Sequence, residues 1–292
     1  MDKELEANKF DSPTSATSAT SLGSRSFAGL ERLYGTLGAA NIRDAHVMVV
    51  GIGGVGSWAV EALTRSGVGR ITMVDMDHVS ESNINRQVHA TQSTLGQAKI
   101  SAMQDRMVLI NPDCKVICID DFVTPENWLT LVPQDIDVVI DACDQVTAKV
   151  AMAAWALRQK SVKTLFISVG AAGGKRLAHL VDIDDLSKTT HDPLLAQLRY
   201  RLRKEHNASR EDKNIGVHCI YSKEAVKQPS ALKGELKGID SGVEMTDNTL
   251  NCHGYGSVVT VTATFGQCAA GWALDKLANL DSVPGKMTKI TL

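Results

Sequence analysis

The short run His46-Val-Met-Val-Val50 passes without a break into Gly51-Ile-Gly-Gly-Val-Gly56, and the reading of this stretch decides the fold. The run is too short for a helix and reads as a buried strand. Gly51, Gly53 and Gly56 fit G-x-G-x-x-G, with Gly54 as an extra glycine in the turn. Missing side chains let the backbone approach a phosphate group, and a helix N-terminus behind them offers unpaired N–H groups. A helix is predicted over about 55–66, with Gly67 placed to stop it, and Arg70 to Asp75 supplies a second β-rich run. Together they make a βαβ unit. Asp75 lies 19 residues beyond Gly56, the position from which a carboxylate bonds ribose hydroxyls. The competing reading is a glycine turn used only for close packing of helix on strand.

Outward from this unit, strands are predicted at 115–120, 137–142 and 164–169, separated by helices at about 95–110 and 146–159. Such alternation gives an α/β fold: a Rossmann-like, doubly wound, mainly parallel sheet with helices on both faces. Beyond Gly170 the pattern weakens to a basic helix at 193–206, a long polar crossing at 223–251 and a largely buried helix at 257–280. No linker-like composition sets this part off. Residues 27–292 therefore read as one domain, with 170–292 as a C-terminal elaboration of it. Residues 1–26 form a Ser/Thr-rich tail expected to be disordered. Asp2, Glu4, Glu6 and Asp11 argue against a targeting helix there.

Composition narrows the function classes. The chain has 292 residues, 43% of them hydrophobic, and 31 Lys+Arg against 33 Asp+Glu leave a formal net charge of -2. No overall positive field draws in nucleic acid, so such a partner must be held by a local patch. Six cysteines include no C-x-x-C pair, which points to a reducing compartment without structural zinc. No uninterrupted apolar run of about 20 residues occurs, so a cytoplasmic protein with no membrane association is expected.

A dehydrogenase would fit the glycine turn equally well, and the following segment separates the two. Asp75-Met-Asp77 leads through Asn83 and Arg86 to Gly96-Gln-Ala-Lys99. A dinucleotide's pyrophosphate is served mainly by backbone amides, whereas a triphosphate carries about two further charges that call for cationic side chains or metal. Arg86 and Lys99 can supply them, unless both are solvated surface charges. Asp144 lies just beyond a strand's carboxyl end, where it can ligate Mg²⁺ or simply cap the helix that begins near Val146. Asp141 reads either as a strand-end cap or as a carboxylate behind the metal ligand.

These residues resemble a known family, the ubiquitin-activating-enzyme-like adenylyltransferases of ThiF/MoeB/HesA type. The resemblance is carried by the glycine turn, Asp75-x-Asp77, Ser82-Asn-Ile-Asn-Arg-Gln87, Gly96-Gln-Ala-Lys99 and Asp141-x-x-Asp144. Arg32-Leu-Tyr-Gly35, Asp120-Asp-Phe-Val-Thr-Pro-Glu-Asn127, Asp192-Pro-Leu and Val259-Thr-Val-Thr-Ala-Thr-Phe-Gly266 resemble its tRNA threonylcarbamoyladenosine dehydratase branch. The resemblance implies an enzyme that uses ATP and Mg²⁺ to cyclise N6-threonylcarbamoyladenosine in tRNA, through carboxylate adenylation with release of pyrophosphate and AMP. It implies that Gly51, Gly53, Gly54, Gly56, Asp75, Asp77, Asn83, Arg86 and Lys99 bind the nucleotide and that Asp144 holds the metal. Catalysis would fall to Arg86, Lys99, Asp144 and Arg32, the last reaching into the neighbouring subunit of a homodimer unless it is an ordinary surface charge. The chain departs from the wider family in lacking two zinc-binding C-x-x-C pairs and in carrying Gln145 and Lys149 where Asn and Arg are frequent.

Cys252 and Cys219, each beside a His, are candidates for a thiol that accepts an acyl group, with buried structural cysteine as the other reading. A cysteine desulfurase or a sulfur-acceptor protein is a further partner to consider. Arg199, Arg203 and Lys204 lie in the densest positive stretch and are candidate tRNA contacts, against a merely solvated helix face. Two rival functions remain: adenylation of a ubiquitin-like or sulfur-carrier protein C-terminus, and an NAD-binding dehydrogenase or sensor.

Overall fold

The computed structural model describes residues 26–159, 164–210, 213–227 and 255–280. In chain order these form helix α1 (Ala28–Asp44), strand β1 (His46–Val50), α2 (Gly56–Arg65), β2 (Arg70–Val74), α3 (Lys99–Ile110), β3 (Lys115–Ile119), α4 (Trp128–Leu131), β4 (Val138–Asp141), α5 (Val146–Arg158), β5 (Leu165–Val169), β6 (Val181–Asp185), α6 (Pro193–Glu205), β7 (His218–Ser222) and α7 (Val259–Ala278). The strands make one sheet in the order β3-β2-β1-β4-β5-β7-β6. Every pairing is parallel except that of β6 with β7.

The doubly wound α/β expectation holds, and β1 shows why its residues force it. All five of its positions are buried, so both faces must be covered. Val47 and Val49 enter the core shared with Ile71, Met73 and Phe265, under α2, α3 and α7. Met48 and Val50 enter the opposite core with Trp128, Leu195 and Leu198, under α4, α5 and α6. The two-residue period of a strand sorts them this way.

Several boundaries move. The predicted helix from residue 95 begins instead at Lys99, because Gln92–Thr94 form a 3₁₀ turn and Gly96 takes a positive φ of 82°. Helix α1, unassigned from sequence, is interrupted at Gly35 (φ 73°, ψ 168°). β6 was likewise not anticipated, and with β7 it lengthens the sheet. Of the polar crossing at 223–251 only 223–227 is among the described residues. The tail up to residue 25 also lies outside them.

Candidate active site

β1 and β4 are neighbours, yet from β1 the chain winds outward to β2 and β3, and from β4 the other way to β5. The strand order reverses between them, and an open sheet of this kind has its ligand crevice at the carboxyl ends of such a pair. A cavity of about 520 Å³ opens there. Its floor is the glycine turn. Gly51 (φ 85°) leaves no room for a side chain, since a Cβ would stand 2.9 Å from the Ala142 carbonyl and the Cys143 amide; a Cβ on Gly56 would overlap the Gly51 carbonyl. The glycines thus serve packing and also bare a backbone surface to the cavity, so both readings of the turn apply together.

Asp75, at the end of β2, has its carboxylate Oδ2 accept from the Ile52 amide (2.6 Å) and Oδ1 from the Asp77 amide (2.9 Å). Burial raises its pKa from the ordinary value, opposed by the Lys99 ammonium and those two amides. Lys99 is itself buried; Nζ donates to Asp77 Oδ2 at 2.6 Å and stands 3.9 Å from Asp75 Oδ1. Arg86 lays its aliphatic stem against Gly54, and Nη1 donates to the Ser82 carbonyl (2.6 Å) and Asn85 Oδ1 (3.0 Å). Burial lowers the guanidinium pKa, the direction for a cation held out of water with no anion against it. Asn83 uses Oδ1 to accept from the Ser80 amide (3.0 Å), capping its own 3₁₀ turn. Asp75, Asp77, Asn83, Arg86 and Lys99 all line the one cavity, together with Gly51, Gly53 and Gly54.

Asp144 lines the same cavity, and its pKa is raised, first by burial. No side chain caps α5, whose N-cap is Gln145, so the alternative of Asp144 as a helix cap is not what the chain adopts. No ion pair to Asp144 occurs among the described residues. A largely buried carboxylate that lines the same cavity as Arg86 and Lys99 suits a hard divalent ion that takes one protein oxygen plus phosphate and water.

Of the two roles open to Asp141, the strand-end one is visible in its Oδ1, which accepts from the Cys143 amide (3.3 Å). Asp141 is fully buried, and its Oδ2 accepts from Lys149 Nζ (3.0 Å) and Ser168 Oγ (2.6 Å). Lys149 also donates to the Val169 carbonyl (2.7 Å) and is fully buried, so it reaches no phosphate. Burial opposes its charge, but the Asp141 carboxylate and its hydrogen bond, together with the neighbouring Cys143 and Cys219, outweigh burial, and the ammonium pKa stands above its ordinary value.

The remaining candidates lie elsewhere. Arg32 is exposed on α1, off this chain's cavity. Cys219 is fully buried in β7, its thiol pKa pushed well up by burial, and Cys252 lies outside the described residues. Arg199 turns inward, Nη1 donating to the Leu186 and Thr189 carbonyls (2.8 and 3.0 Å). Arg203 Nε donates to the Ser209 carbonyl (3.1 Å), whereas Lys204 is exposed, 5.7 Å from the Tyr200 ring centroid. Sequence reading missed Phe122 and Val123 after β3, Cys143, and Leu194 and Tyr255, all in the cavity wall. The strand-end rule flags the first pair, since the 120–127 motif begins where β3 ends.

A model of the ThiF family matches residues 24–292. The tRNA threonylcarbamoyladenosine dehydratase of Haemophilus influenzae is 42% identical over 253 residues, covering 86% of this chain and 92% of that protein. The enzyme of the same name from Escherichia coli is 41% identical over 252 residues, with the same two coverages of 86% and 92%. The crystal structure of the E. coli tRNA N6-threonylcarbamoyladenosine dehydratase in complex with ATP matches at TM-score 0.76 and 39% identity, over 90% of this chain and 97% of that one. Its complex with AMP matches at TM-score 0.77 and 39% identity, over 89% and 97%.

Proposed function

This chain belongs to the ThiF family, and from that premise we propose that it catalyses the ATP-dependent dehydration of N6-threonylcarbamoyladenosine in tRNA to the cyclic form. The observation that carries the reading is the convergence of Arg86, Lys99 and Asp144 on one cavity at the strand switch, in a chain 39% identical to a dehydratase solved with ATP.

The threonyl carboxylate is a poor electrophile because its carbonyl carbon is shielded by the delocalised charge. Its oxygen attacks the α-phosphorus of ATP, the bond to the bridging oxygen breaks, and pyrophosphate leaves. An atom of the carbamoyl group then attacks the acyl carbon and loses its proton, and AMP departs with the former carboxylate oxygen. The side chain has lost one water. Charge develops at the α-phosphate and on the leaving pyrophosphate, and preorganised cations stabilise it most where water is scarce. Arg86, braced on Gly54, and Lys99, buried beside Asp75, are such cations. Asp75 retains free lone pairs for ribose hydroxyls while Ile52 and Asp77 fix its plane. Asp144 would hold Mg²⁺, which when bound screens phosphate charge.

The further proposals are a cytoplasmic homodimer that presents Arg32 to the neighbouring site and tRNA as the macromolecular substrate. Exposed Leu33 (72%) and Leu37 (58%) beside Arg32 support the first. Among the described residues no helix is long and apolar enough to cross a membrane. The central test is incubation with ATP, Mg²⁺ and threonylcarbamoylated tRNA. The digested nucleoside is expected one water lighter, and an unchanged mass overturns the reading.

A further inference from the structure

A second depression, of about 320 Å³, adjoins the nucleotide cavity and shares Pro193 and Val226 with it. Its other walls include Thr189, His191, Ala196 and Arg199. Three features prepare it for an anion. Arg199 is part-buried, and Nη1 is held by the Leu186 carbonyl (2.8 Å), the Thr189 carbonyl (3.0 Å) and Thr189 Oγ1 (3.0 Å). No carboxylate among the described residues forms an ion pair with it. The guanidinium is therefore fixed before any ligand arrives, with donors beyond Nη1 still available. Exposed His191 is held in the left-handed region (φ 56°) by the buried Lys175 ammonium, which donates to its carbonyl at 2.8 Å. The Asp192 carboxylate, also in the wall, keeps its negative charge, but both oxygens are engaged by the Leu195 (3.0 Å) and Ala171 (2.9 Å) amides, whose dipoles partly offset it.

We propose that this depression is a phosphodiester site that grips the RNA backbone next to the modified adenosine while that nucleoside's side chain enters the adjoining cavity. The inference rests on the functional reading above and assigns part of its substrate. Arg199, inaccessible as a freely swinging surface charge, acts here as a fixed cation. The shared wall gives the geometry: a chain seated in one depression passes over Pro193 into the other. Free pyrophosphate offers the same chemistry, so the test separates the two sources.

Three variants are compared with the wild type. Arg199→Gln removes the cation. Ala196→Glu puts a carboxylate into the depression without touching any hydrogen bond of Arg199. Arg201→Gln removes an equal charge from the same helix, where Arg201 is already paired with Glu205 (3.0 Å). Dissociation constants for threonylcarbamoylated tRNA are measured by fluorescence anisotropy at several salt concentrations, beside those for ATP and the inhibition constant for pyrophosphate. Arg199→Gln and Ala196→Glu are each expected to weaken tRNA binding about tenfold, and Arg199→Gln to lower the salt slope by about one. ATP and pyrophosphate constants should stay at wild-type values, and Arg201→Gln should have much the smaller effect on tRNA. If Ala196→Glu leaves tRNA affinity unchanged the proposal is overturned, whether or not Arg199→Gln folds. A shift confined to pyrophosphate inhibition overturns it too, in favour of a product site. Wild-type enzyme that binds ATP but yields no lighter nucleoside sinks the parent reading instead, so the two failures are distinguishable.

Discussion

His89 is 2% exposed, and neither ring nitrogen finds a hydrogen-bond partner among the described residues. Burial, then the positive charges of Lys99 and Arg106, lower its pKa from 6.5 to about 4. The unfolded chain therefore binds a proton that the folded one refuses between those values. Stability is full above pH 6.5 and falls as pH drops towards 4, by at most about 3 kcal/mol. Melting temperature against pH should show this acid limb, and His89→Leu should flatten it; an unchanged slope would contradict the assignment. Lys149 belongs to the same scale. Lys149→Met strands a fully buried Asp141 carboxylate and should cost about 3–5 kcal/mol, while Lys149→Arg should cost less because it keeps the charge. Urea unfolding of both variants measures the difference. That role is not legible in the sequence, where the two residues stand eight positions apart and only the seating of α5 against β4 and β5 brings ammonium to carboxylate. Asp75, Arg86 and Lys99 are legible because each follows a strand end or turn that the local pattern already marks.

At the scale of elements, α2 and α7 approach so closely that Gly266 is a packing requirement. A Cβ there would stand 2.5 Å from the Val55 carbonyl and 2.8 Å from Trp58 Cβ. Gly266→Val should destabilise the fold by about 2–3 kcal/mol and, by displacing Val55, weaken ATP binding as well. Calorimetry on one sample reads both. The elements differ in how plainly the sequence announces them. β1 is a bare apolar run because both its faces are covered, and α2 stops where Gly67 takes φ 70°. β6, Val181-Asp-Ile-Asp-Asp185, is largely half-buried at the end of the sheet, so its alternate acids look like a polar loop. α1 hides for another reason: Gly35 breaks it, and Leu33 and Leu37 face outward, blurring the helical period. Phe122 and Tyr255 reach the cavity from two separate connections and Leu194 from the first turn of α6, a meeting that no local pattern encodes.

For the whole molecule, a ligand that binds only the folded state raises its stability by mass action. ATP with Mg²⁺ at a hundredfold excess over Kd should add about 2.7 kcal/mol and raise Tm by roughly 5–10 °C for a domain of this size. NADH at equal concentration should do far less, because the role proposed for Arg86 and Lys99 is to hold a triphosphate; the reverse order in a thermal-shift assay would restore the dehydrogenase reading. The net charge of -2 leaves tRNA affinity to local patches, in keeping with a cation held in place beside the cavity.

The reversal of strand order that opens the crevice also has a kinetic side. β1 and β4 lie side by side, and His46 bonds to Asp137 across 91 positions of chain. β1 and β2 can pair early, since one helix and two tight turns join them. The central seam must wait for a long loop to close, and such closure slows folding and leaves unpaired edges exposed meanwhile. Refolding should therefore be biphasic, with native near-ultraviolet signal and nucleotide affinity both arriving in the slower phase. The place where ATP is received is the last part of the protein to come into being.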